Sequence, residues 1–422
     1  MTLDIIKKIN KLAKKINREI VIMELCGTHT EAVAKNGIKK ILPKNIKLLS
    51  GPGCPVCVTD QKDIDAIIVL ALNGVPVACY GDVLRVPGNL TVGNWKLNYK
   101  NIIIKDNSSP LPKGEGQGEG EVLSLNKARE LGADVTEVYS VEDALRLQKK
   151  KPDLVFFGLG FETTTPMTAD AIKRGLTVYS SHKVFVPAMQ AIINTPTLKI
   201  DGFLNPGHVS TIIGVEQYKN LKFRNPHPSP LPEGEGVKNP CLDLGRVRGG
   251  IPQVIAGFEA EDVLIGIYMI LKQISENKAE VENEYTRAVH QEGNSIARKL
   301  IDEVFEIEDA FWRGLGNIPG SGLKIRDKYS EFDAKVKYKE ILLNSYSEWS
   351  DSEMKNPETT TQGTKLRDSD ISKQCLCGAI LRGLKQPKDC KLFNKKCTPE
   401  NPVGACMVSS EGACGIEAKY LG

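Results

Sequence analysis

The sequence contains no apolar run that approaches the roughly 20 residues needed to span a bilayer. Its first 20 residues alternate Ile and Leu with Lys at helical spacing and contain no apolar signal core. They therefore predict an amphipathic helix packed on the protein rather than a targeting peptide. The net charge is only +4, with basic and acidic residues interspersed, which disfavours a nucleic-acid-binding or anionic membrane-binding face. The sequence contains no P-loop and no convincing GxGxxG motif, so it does not indicate a nucleotide-binding site. These absences predict a cytoplasmic protein that binds neither membrane nor nucleic acid.

Cysteine, in contrast, is abundant, with eleven residues. Structural disulfides are not expected in a chain without an export signal, because cytosolic thiols are kept reduced. Three cysteines lie early, Cys79 and Cys241 are scattered and predicted to have no chemical role, and six lie in the last 48 residues, here called the tail (375–422). The early three are Cys26, Cys54 and Cys57; the tail six are Cys375, Cys377, Cys390, Cys397, Cys406 and Cys414. Two separate sulfur chemistries are indicated.

Short apolar segments alternate with helical segments from residue 17 to about 275, which is typical of parallel sheets with covering helices. The predicted strands are REIVIME, IKLLS, VPVACY, DLVFFGLG, LTVYSS, DGFL and QVIAGFE. The predicted fold class is α/β, with two parallel-sheet units facing a cleft and a small C-terminal cysteine-rich iron-sulfur domain.

The predicted domains are 1–140, 141–275 and 276–422. The third begins with a long charged helix over 276–310 that continues to Trp312. Loop insertions are predicted near 105–122 and 220–249, around the nearly identical segments SPLPKGEG and SPLPEGEG. Such Pro/Gly/Glu-rich stretches bury little apolar surface. We interpret them as insertions into an older fold, with proline-rich docking motifs as the alternative.

The polar and sulfur residues with chemical potential follow predicted strands, where loops of a parallel sheet converge on a ligand. Glu162 could act as an acid, base or recognition carboxylate, or could cap its own helix. His29 could be a ligand, a proton shuttle or a thiol activator, or could form helix-start hydrogen bonds. His208 is a further candidate. The predicted catalytic residues are Cys26, His29, Cys54, Cys57, Glu162 and His208.

The stretch GPGCPVC places two residues between Cys54 and Cys57, so that both sulfurs can reach one ion, and Cys26 can supply a third from a neighbouring loop. Thiolates are soft ligands that suit iron, zinc or cuprous copper. Amides at helix starts are expected to lower the pKa of these thiols. The pattern predicts thiolates that bind a metal or carry electrons; small-residue packing is the alternative.

The tail cysteines have the spacing Cys-x-Cys-x12-Cys-x6-Cys-x8-Cys-x7-Cys. A paired zinc ribbon would contain two CxxC knuckles, and the tail has neither these nor a histidine. Irregular all-cysteine spacing favours a [4Fe-4S] cluster held by four thiolates, with two spare thiols as a redox pair. Zinc and plain disulfides remain as alternatives.

The chain contains, in order, LCGTHT (25–30), GPGCPVC (51–57), YGDVLRVPG (80–88), GFETTTP (160–166), NPGHVSTIIG (205–214), AGFE (256–259) and the tail motifs CGAILRG and CTPENPVGACMVSSEGAC. These ordered motifs give it a specific resemblance to the HypD family of hydrogenase maturation factors. They span nearly the whole chain. The two SPLPxGEG segments lie between motifs and depart from the family pattern, as does the ending GIEAKYLG.

The resemblance implies a scaffold, with redox activity, that assembles the Fe(CN)2CO group of [NiFe]-hydrogenases. It implies a HypC-like chaperone that contributes its own cysteine and a HypE-like carrier that delivers cyanide from a thiocyanate. Cys26 becomes an iron ligand, and Cys54 and Cys57 become a working dithiol and further predicted iron ligands. By analogy with cluster-linked reductases, the cluster ligands are Cys375, Cys390, Cys397 and Cys414, with Cys377 and Cys406 as redox pair or alternative ligands.

Two further hypotheses stay open. A stand-alone iron-sulfur-linked disulfide reductase would use the cluster to reduce Cys54 and Cys57 for a protein partner. A zinc-stabilised binding module would have no redox chemistry and would be colourless. Only the scaffold predicts an additional iron with bound CN and CO.

Overall fold

The computed structural model describes residues 2–90, 122–195, 198–222, 250–347 and 374–421. The segments SPLPKGEG and SPLPEGEG, with nearly all of the two predicted insertions, lie outside the described residues.

The strands of the described chain are β1 (Ile20–Glu24), β2 (Ile46–Ser50), β3 (Val77–Tyr80), β4 (Val135–Val138), β5 (Val155–Gly160), β6 (Thr177–His182), β7 (Gly202–Pro206), β8 (Gln253–Ala256), β9 (Val281–Asn283), β10 (Phe305–Trp312) and β11 (Gly316–Ile325). All seven predicted strands are present. The sequence analysis missed β4, β9 and the pair β10 and β11.

The helices of the described chain are α1 (Thr2–Ile16), α2 (Gly27–Lys35), α3 (Ile38–Ile41), α4 (Pro55–Val58), α5 (Gln61–Leu72), α6 (Gly81–Leu84), α7 (Leu125–Glu130), α8 (Val141–Gln148), α9 (Thr165–Lys173), α10 (Phe185–Ile193), α11 (Gly207–Ile213), α12 (Glu216–Lys219), α13 (Ala260–Ser275), α14 (Ser295–Val304), α15 (Ala334–Lys337), α16 (Lys339–Ser347), α17 (Cys377–Leu381), α18 (Ala405–Val408) and α19 (Ala413–Tyr420). Short 3-10 turns span Asp327–Phe332 and Pro387–Asp389. None of the helices in the described ranges has the length and apolar character to cross a membrane.

The first sheet has five parallel strands in the order β2-β1-β7-β8-β9. Met23 of β1 lies beside Leu49 of β2 and Phe203 of β7. The predicted N-terminal helix α1 covers this sheet together with α13, and Ile9 and Ala13 of α1 are buried. Burial of an aliphatic side chain as large as that of Ile9 stabilises the folded state by about 1.5–3 kcal/mol.

The second sheet has four parallel strands in the order β4-β3-β5-β6. All six residues of β5 are buried, as expected for a central strand covered on both faces. The predicted α/β class with two parallel sheets is therefore confirmed.

The division between the sheets differs from the boundary predicted at residue 140. β3 belongs to the second sheet, whereas β7 and β8 pair with β1 in the first. The chain thus crosses from the first sheet to the second after β2 and returns before β7. Alternation of strands and helices identifies elements but does not specify which strands are neighbours.

The predicted helix from 276 to Trp312 is wrong. β9 occupies Val281–Asn283, α14 begins after its N-cap Asn294, and the chain becomes extended at Phe305. β10 and β11 form an antiparallel hairpin, which packs beside β6 of the second sheet. Its Trp312 is buried and donates through Nε1 to Ser321 Oγ over 2.8 Å.

The tail is the predicted small cysteine-rich region, built from short helices and turns. α19 packs on α2 of the first unit, and α18 packs on α4. The tail thereby lies against the loops that carry the early cysteines.

Candidate functional site

The carboxyl ends of both parallel sheets face one cleft with a volume of about 490 Å3. The first sheet contributes the loops after β1, β2 and β7, the second contributes those after β3, β4 and β5, and the tail adds a short segment. The lining residues are Leu25, Cys26, Gly53, Pro55, Val56, Tyr80, Gly81, Asp82, Glu137, Val138, Tyr139, Leu159, Gly160, Phe161, Thr163, Thr164, Pro206, His208, Val209, Ser409, Ser410 and Glu411. This is the edge at which parallel sheets bind ligands.

Cys26 lies in the wall of this cleft with a free thiol, at the N-cap of α2. Burial, and then the charge of Glu411, raises its pKa to about 12. Hydrogen bonds from Thr28 and His29 act in the opposite direction but are weaker. The expectation that helix-start amides lower this pKa is therefore wrong for Cys26, because desolvation of the thiolate outweighs them. Without a bound cation, the thiol is protonated.

Cys54 and Cys57 form a disulfide in this structure, with their Cα atoms 5.3 Å apart. They flank the first turn of α4, where Pro55 occupies the first helical position and Cys54 Sγ accepts from Cys57 N–H over 3.2 Å. The loop of Cys54 touches the loop of Cys26: a Cβ on Gly53 would lie 2.5 Å from Cys26 Cα. The predicted proximity of the three early cysteines' loops is thus present. Iron ligation by Cys54 and Cys57 stays a prediction, since a disulfide provides no thiolate.

The two predicted histidines both contact one aromatic ring. Phe258 stacks on His208 at 3.9 Å between centroids and lies 5.1 Å from the ring of His29. His208 is exposed and lines the cleft. His29 is fully buried; its Nε2 donates to Gly257 O over 2.9 Å, and its Nδ1 has no partner. Burial lowers the pKa of His29 to about 4, so its ring is neutral at pH 7.

Glu162 lies beneath the cleft, between Phe161 and Thr163, which line it. It does not cap its own helix; its Oε1 accepts from the N–H of Phe185, the first residue of α10, over 2.9 Å. Oε2 is buried without a hydrogen-bond partner. Burial raises the pKa of Glu162 to about 7. The carboxyl group can therefore hold or release a proton near neutral pH.

In the tail, Cys377 and Cys406 form a second disulfide with Cα atoms 6.0 Å apart. The other four cysteines are free, and these are the four predicted as cluster ligands: Cys375, Cys390, Cys397 and Cys414. Burial and then the charges of the other three thiols raise the pKa of Cys414, so the four share one neighbourhood. Cys397 Sγ also accepts from Val403 N–H over 3.3 Å.

Four soft donors with an amide N–H directed at one sulfur fit the chemistry of an iron-sulfur cluster. Within the described ranges, no three His, Cys, Asp or Glu side chains are already arranged to hold a metal ion. Cluster ligation by the four tail thiols accordingly stays a prediction.

The two disulfides lie close together at the contact between α4 and α18. Cys57 Sγ is 3.9 Å from the carbonyl oxygen of Ala405, the residue before Cys406. The two cysteine pairs are therefore neighbours across this contact.

Comparison with known proteins connects this arrangement to one family. The family model HypD, described as "Hydrogenase formation hypA family", matches residues 1–104, 117–229 and 246–421. The chain belongs to the HypD family of hydrogenase maturation factors. The unmatched stretches contain most of SPLPKGEG and SPLPEGEG.

Relatives cover almost the full length of this HypD-family chain. A hydrogenase maturation factor HypD of Azotobacter vinelandii is 39% identical, with 96% of this chain and 90% of the relative aligned. HypD2 of Bradyrhizobium diazoefficiens is 38% identical over 94% and 88%. A putative hydrogenase expression/formation protein of Methanocaldococcus jannaschii is 38% identical over 98% and 96%.

Two acidic residues of the HypD-family cleft were missed as site residues. Asp82 accepts from Ser409 Oγ, Ser410 N and Ser410 Oγ at 2.9–3.0 Å. Glu411 accepts from Thr28 Oγ1 over 3.0 Å, close to Cys26. Asp82 belongs to the motif YGDVLRVPG and Glu411 to CTPENPVGACMVSSEGAC. Their places in these motifs could have identified them as candidate site residues.

Proposed function

We propose that this chain is the cytoplasmic scaffold and redox component that assembles the Fe(CN)2CO group of [NiFe]-hydrogenase. The observation that carries the proposal is the free thiol of Cys26 in the cleft wall, directly against the loop of the Cys54–Cys57 pair. A thiol that can bind a metal and a cysteine pair that can exchange two electrons thereby lie at one site. The iron is the cargo of this site, held between Cys26 and the cysteine of a HypC-like chaperone.

The charge of the cleft supports a cationic cargo. Asp82, Glu137 and Glu411 are in its wall, and no Lys or Arg is among the lining residues that the structure describes. Ferrous iron can displace the proton of Cys26, whose pKa is raised while no cation is bound. Thiolates are electron-rich anchors for iron that carries cyanide and carbon monoxide.

The Cys54–Cys57 pair supplies the electrons that release cyanide from the thiocyanate of a HypE-like carrier. In the reduced pair, one thiolate attacks the carrier's sulfur, an S–S bond forms as the S–C bond breaks, and cyanide leaves with the electron pair. The N–H of Cys57, 3.2 Å from Cys54 Sγ, favours Cys54 as this thiolate. Cys57 then displaces the carrier's thiol and closes the disulfide. The dithiol's two protons pass to cyanide and the carrier.

The other predicted residues have supporting roles in this proposal. His208, exposed in the cleft, exchanges protons there. His29 anchors the loop after β8 through Gly257 O, and Glu162 holds the first turn of α10. Cys375, Cys390, Cys397 and Cys414 would hold the tail cluster, which would supply electrons, and the Cys377–Cys406 pair would relay them toward Cys57.

The test is replacement of Cys26 by serine, which keeps the size of the side chain and removes the soft ligand. The wild-type chain, coexpressed anaerobically with the other maturation proteins and purified with its HypC-like partner, is expected to show infrared CN and CO stretches. C26S is expected to lose them. The matched control is Cys79→Ser, another buried free cysteine outside the cleft lining. Absence of the bands in wild type, or their persistence in C26S, would overturn the scaffold.

The contact between the two disulfides also favours a second candidate, a stand-alone iron-sulfur-linked disulfide reductase. Such an enzyme needs Cys54 and Cys57 but not Cys26. Full disulfide reductase turnover by C26S, in a preparation whose wild type shows no CN or CO stretch, would favour it. A colourless zinc protein would exclude both candidates.

A further inference from the structure

Arg313 is at the tip of the β10–β11 hairpin, near the contact of α4 with the tail. Its N–H donates to Val58 O over 2.9 Å, and its Nε donates to Thr59 O over 3.1 Å, so it is fixed against the end of α4. The next residue, Gly314, packs directly on Gly378 in the first turn of α17. The hairpin tip thus touches both cysteine-bearing segments.

The guanidinium of Arg313 has a donor left over. Nη2 is buried and has no hydrogen-bond partner. A buried unpaired donor is destabilising, and more so when it is charged, so such groups require an explanation. The nearby carboxyl of Asp65 is already engaged by Asn89 and Gln61.

Three groups lie within electrostatic reach of the Arg313 guanidinium: Asp65, Asp60 and Cys375, which is one of the four free tail thiols. Asp60 already accepts from the N–H of Lys62. Four thiolates around a cluster carry net negative charge, and reduction adds to it. Hydrogen bonds to sulfur and nearby positive charge are the means by which proteins raise the reduction potential of such a group.

We propose that Arg313 is the counter-cation of the tail sulfur site at Cys375, and that its buried charge makes the group that the tail thiols would hold easier to reduce. The inference rests on the cluster of the proposed function. It assigns a role to a residue outside the tail, at the point where electrons leave for the Cys54–Cys57 pair.

The test is an anaerobic redox titration of the cluster in the full-length chain, followed by electron paramagnetic resonance and visible absorption. Arg313→Gln keeps a hydrogen-bond donor but removes the charge. It is expected to disfavour reduction about tenfold, a shift to a potential lower by about 59 mV for a one-electron couple. Arg313→Lys keeps the charge without the fork, so a smaller shift is expected.

The matched control is Arg326→Gln, on the same hairpin, where the guanidinium pairs with Asp302 O and Glu306. Its potential is expected to equal that of wild type. The role of the charge would be overturned by any of three results. These are an R313Q potential equal to that of wild type, an R313K shift as large as that of R313Q, or equal loss of the cluster in R313Q and R313K. Loss of the cluster in R313Q alone would support it.

The experiment separates the two proposals. A wild-type chain purified without an iron-sulfur cluster would overturn the proposed cofactor and this inference together. A wild-type cluster with an unaltered potential in R313Q would overturn this inference and leave the proposed function standing.

Discussion

Glu24 carries a carboxyl group buried between the two cysteine loops, at the end of β1. Its Oε1 accepts from Thr30 Oγ1 and from Ser50 Oγ, both over 2.7 Å. Thr30 follows Cys26 in α2, and Ser50 ends β2 just before GPGCPVC. The carboxyl group thus holds together the two segments that position the early cysteines. Burial raises its pKa to about 8.

We predict that Glu24→Gln reduces the pH dependence of stability between about pH 5 and 8. A carboxyl group with a raised folded-state pKa stabilises the protein below its unfolded value of 4.5, and this contribution is lost as pH rises to about 8. One such group lowers the free energy of unfolding by at most about 1.4 kcal/mol per pH unit. Gln mimics the protonated form and does not titrate. Urea unfolding at several pH values measures the slope.

The control for Glu24 is Glu19→Gln, an exposed carboxylate just before the same strand, paired at the surface with Lys47. Its slope is expected to match wild type. If E24Q retains the wild-type slope as well, Glu24 is ionised in the fold and the argument from burial fails.

At this scale the sequence indicated candidate side chains but not their surroundings. Cys26, Cys54 and Cys57 stood out by residue type and position after strands. The buried state of Glu24 and the raised pKa of Cys26 depend on neighbours from β2, α2 and the tail, which spacing alone does not place. His29 was correctly located beside the cysteines, but its ring faces Gly257 O rather than the cleft.

At the scale of elements, strand β10 (Phe305–Trp312) replaces the end of a predicted charged helix. The segment FEIEDAFW begins with strict alternation of apolar and acidic residues, a period of two that was available in the sequence. Its charge content favoured a helix in the sequence analysis. Packing against β6 and burial of Phe305 and Trp312 decide for the strand.

Two glycines of the hairpin turn permit a comparison. Gly314 and Gly316 have φ of +84° and +82°, so alanine is strained at both, by about 1–2 kcal/mol. A Cβ on Gly314 would lie 2.6 Å from Gly378 Cα in the tail, whereas a Cβ on Gly316 meets no atom within 4 Å.

We predict that Gly314→Ala lowers the free energy of unfolding by at least about 1 kcal/mol more than Gly316→Ala, because only the former displaces α17. Urea unfolding measures the difference. Limited proteolysis is expected to cut the tail faster in G314A alone. Equal losses in both variants would mean that the tail does not depend on the hairpin tip.

At the scale of the whole molecule, the chain closes on itself at the cleft. Loops of the first sheet form one wall of the cleft, and loops of the second sheet form the other. The tail contributes Ser409, Ser410 and Glu411 to its edge. Most of the strands and helices of the two parallel sheets could be predicted from local pattern. The order of strands and the return of the tail could not, since they depend on contacts as remote in sequence as that of Tyr420 with Glu31.

Asp82 is the link through which the second sheet holds the tail, because its Oδ2 accepts three hydrogen bonds from Ser409 and Ser410. An amide in its place presents N–H donors and loses the charge-assisted acceptor. We predict that Asp82→Asn lowers the free energy of unfolding by about 1–2 kcal/mol. We also expect faster hydrogen exchange in α18 and α19 with little change in α1.

The control is Asp134→Asn, which removes an exposed ion pair with Lys151. It should lower the free energy of unfolding by less than about 1 kcal/mol and leave hydrogen exchange in the tail unaltered. Wild-type exchange rates in the tail of D82N would show that α19 and α2 hold it in place without this carboxylate.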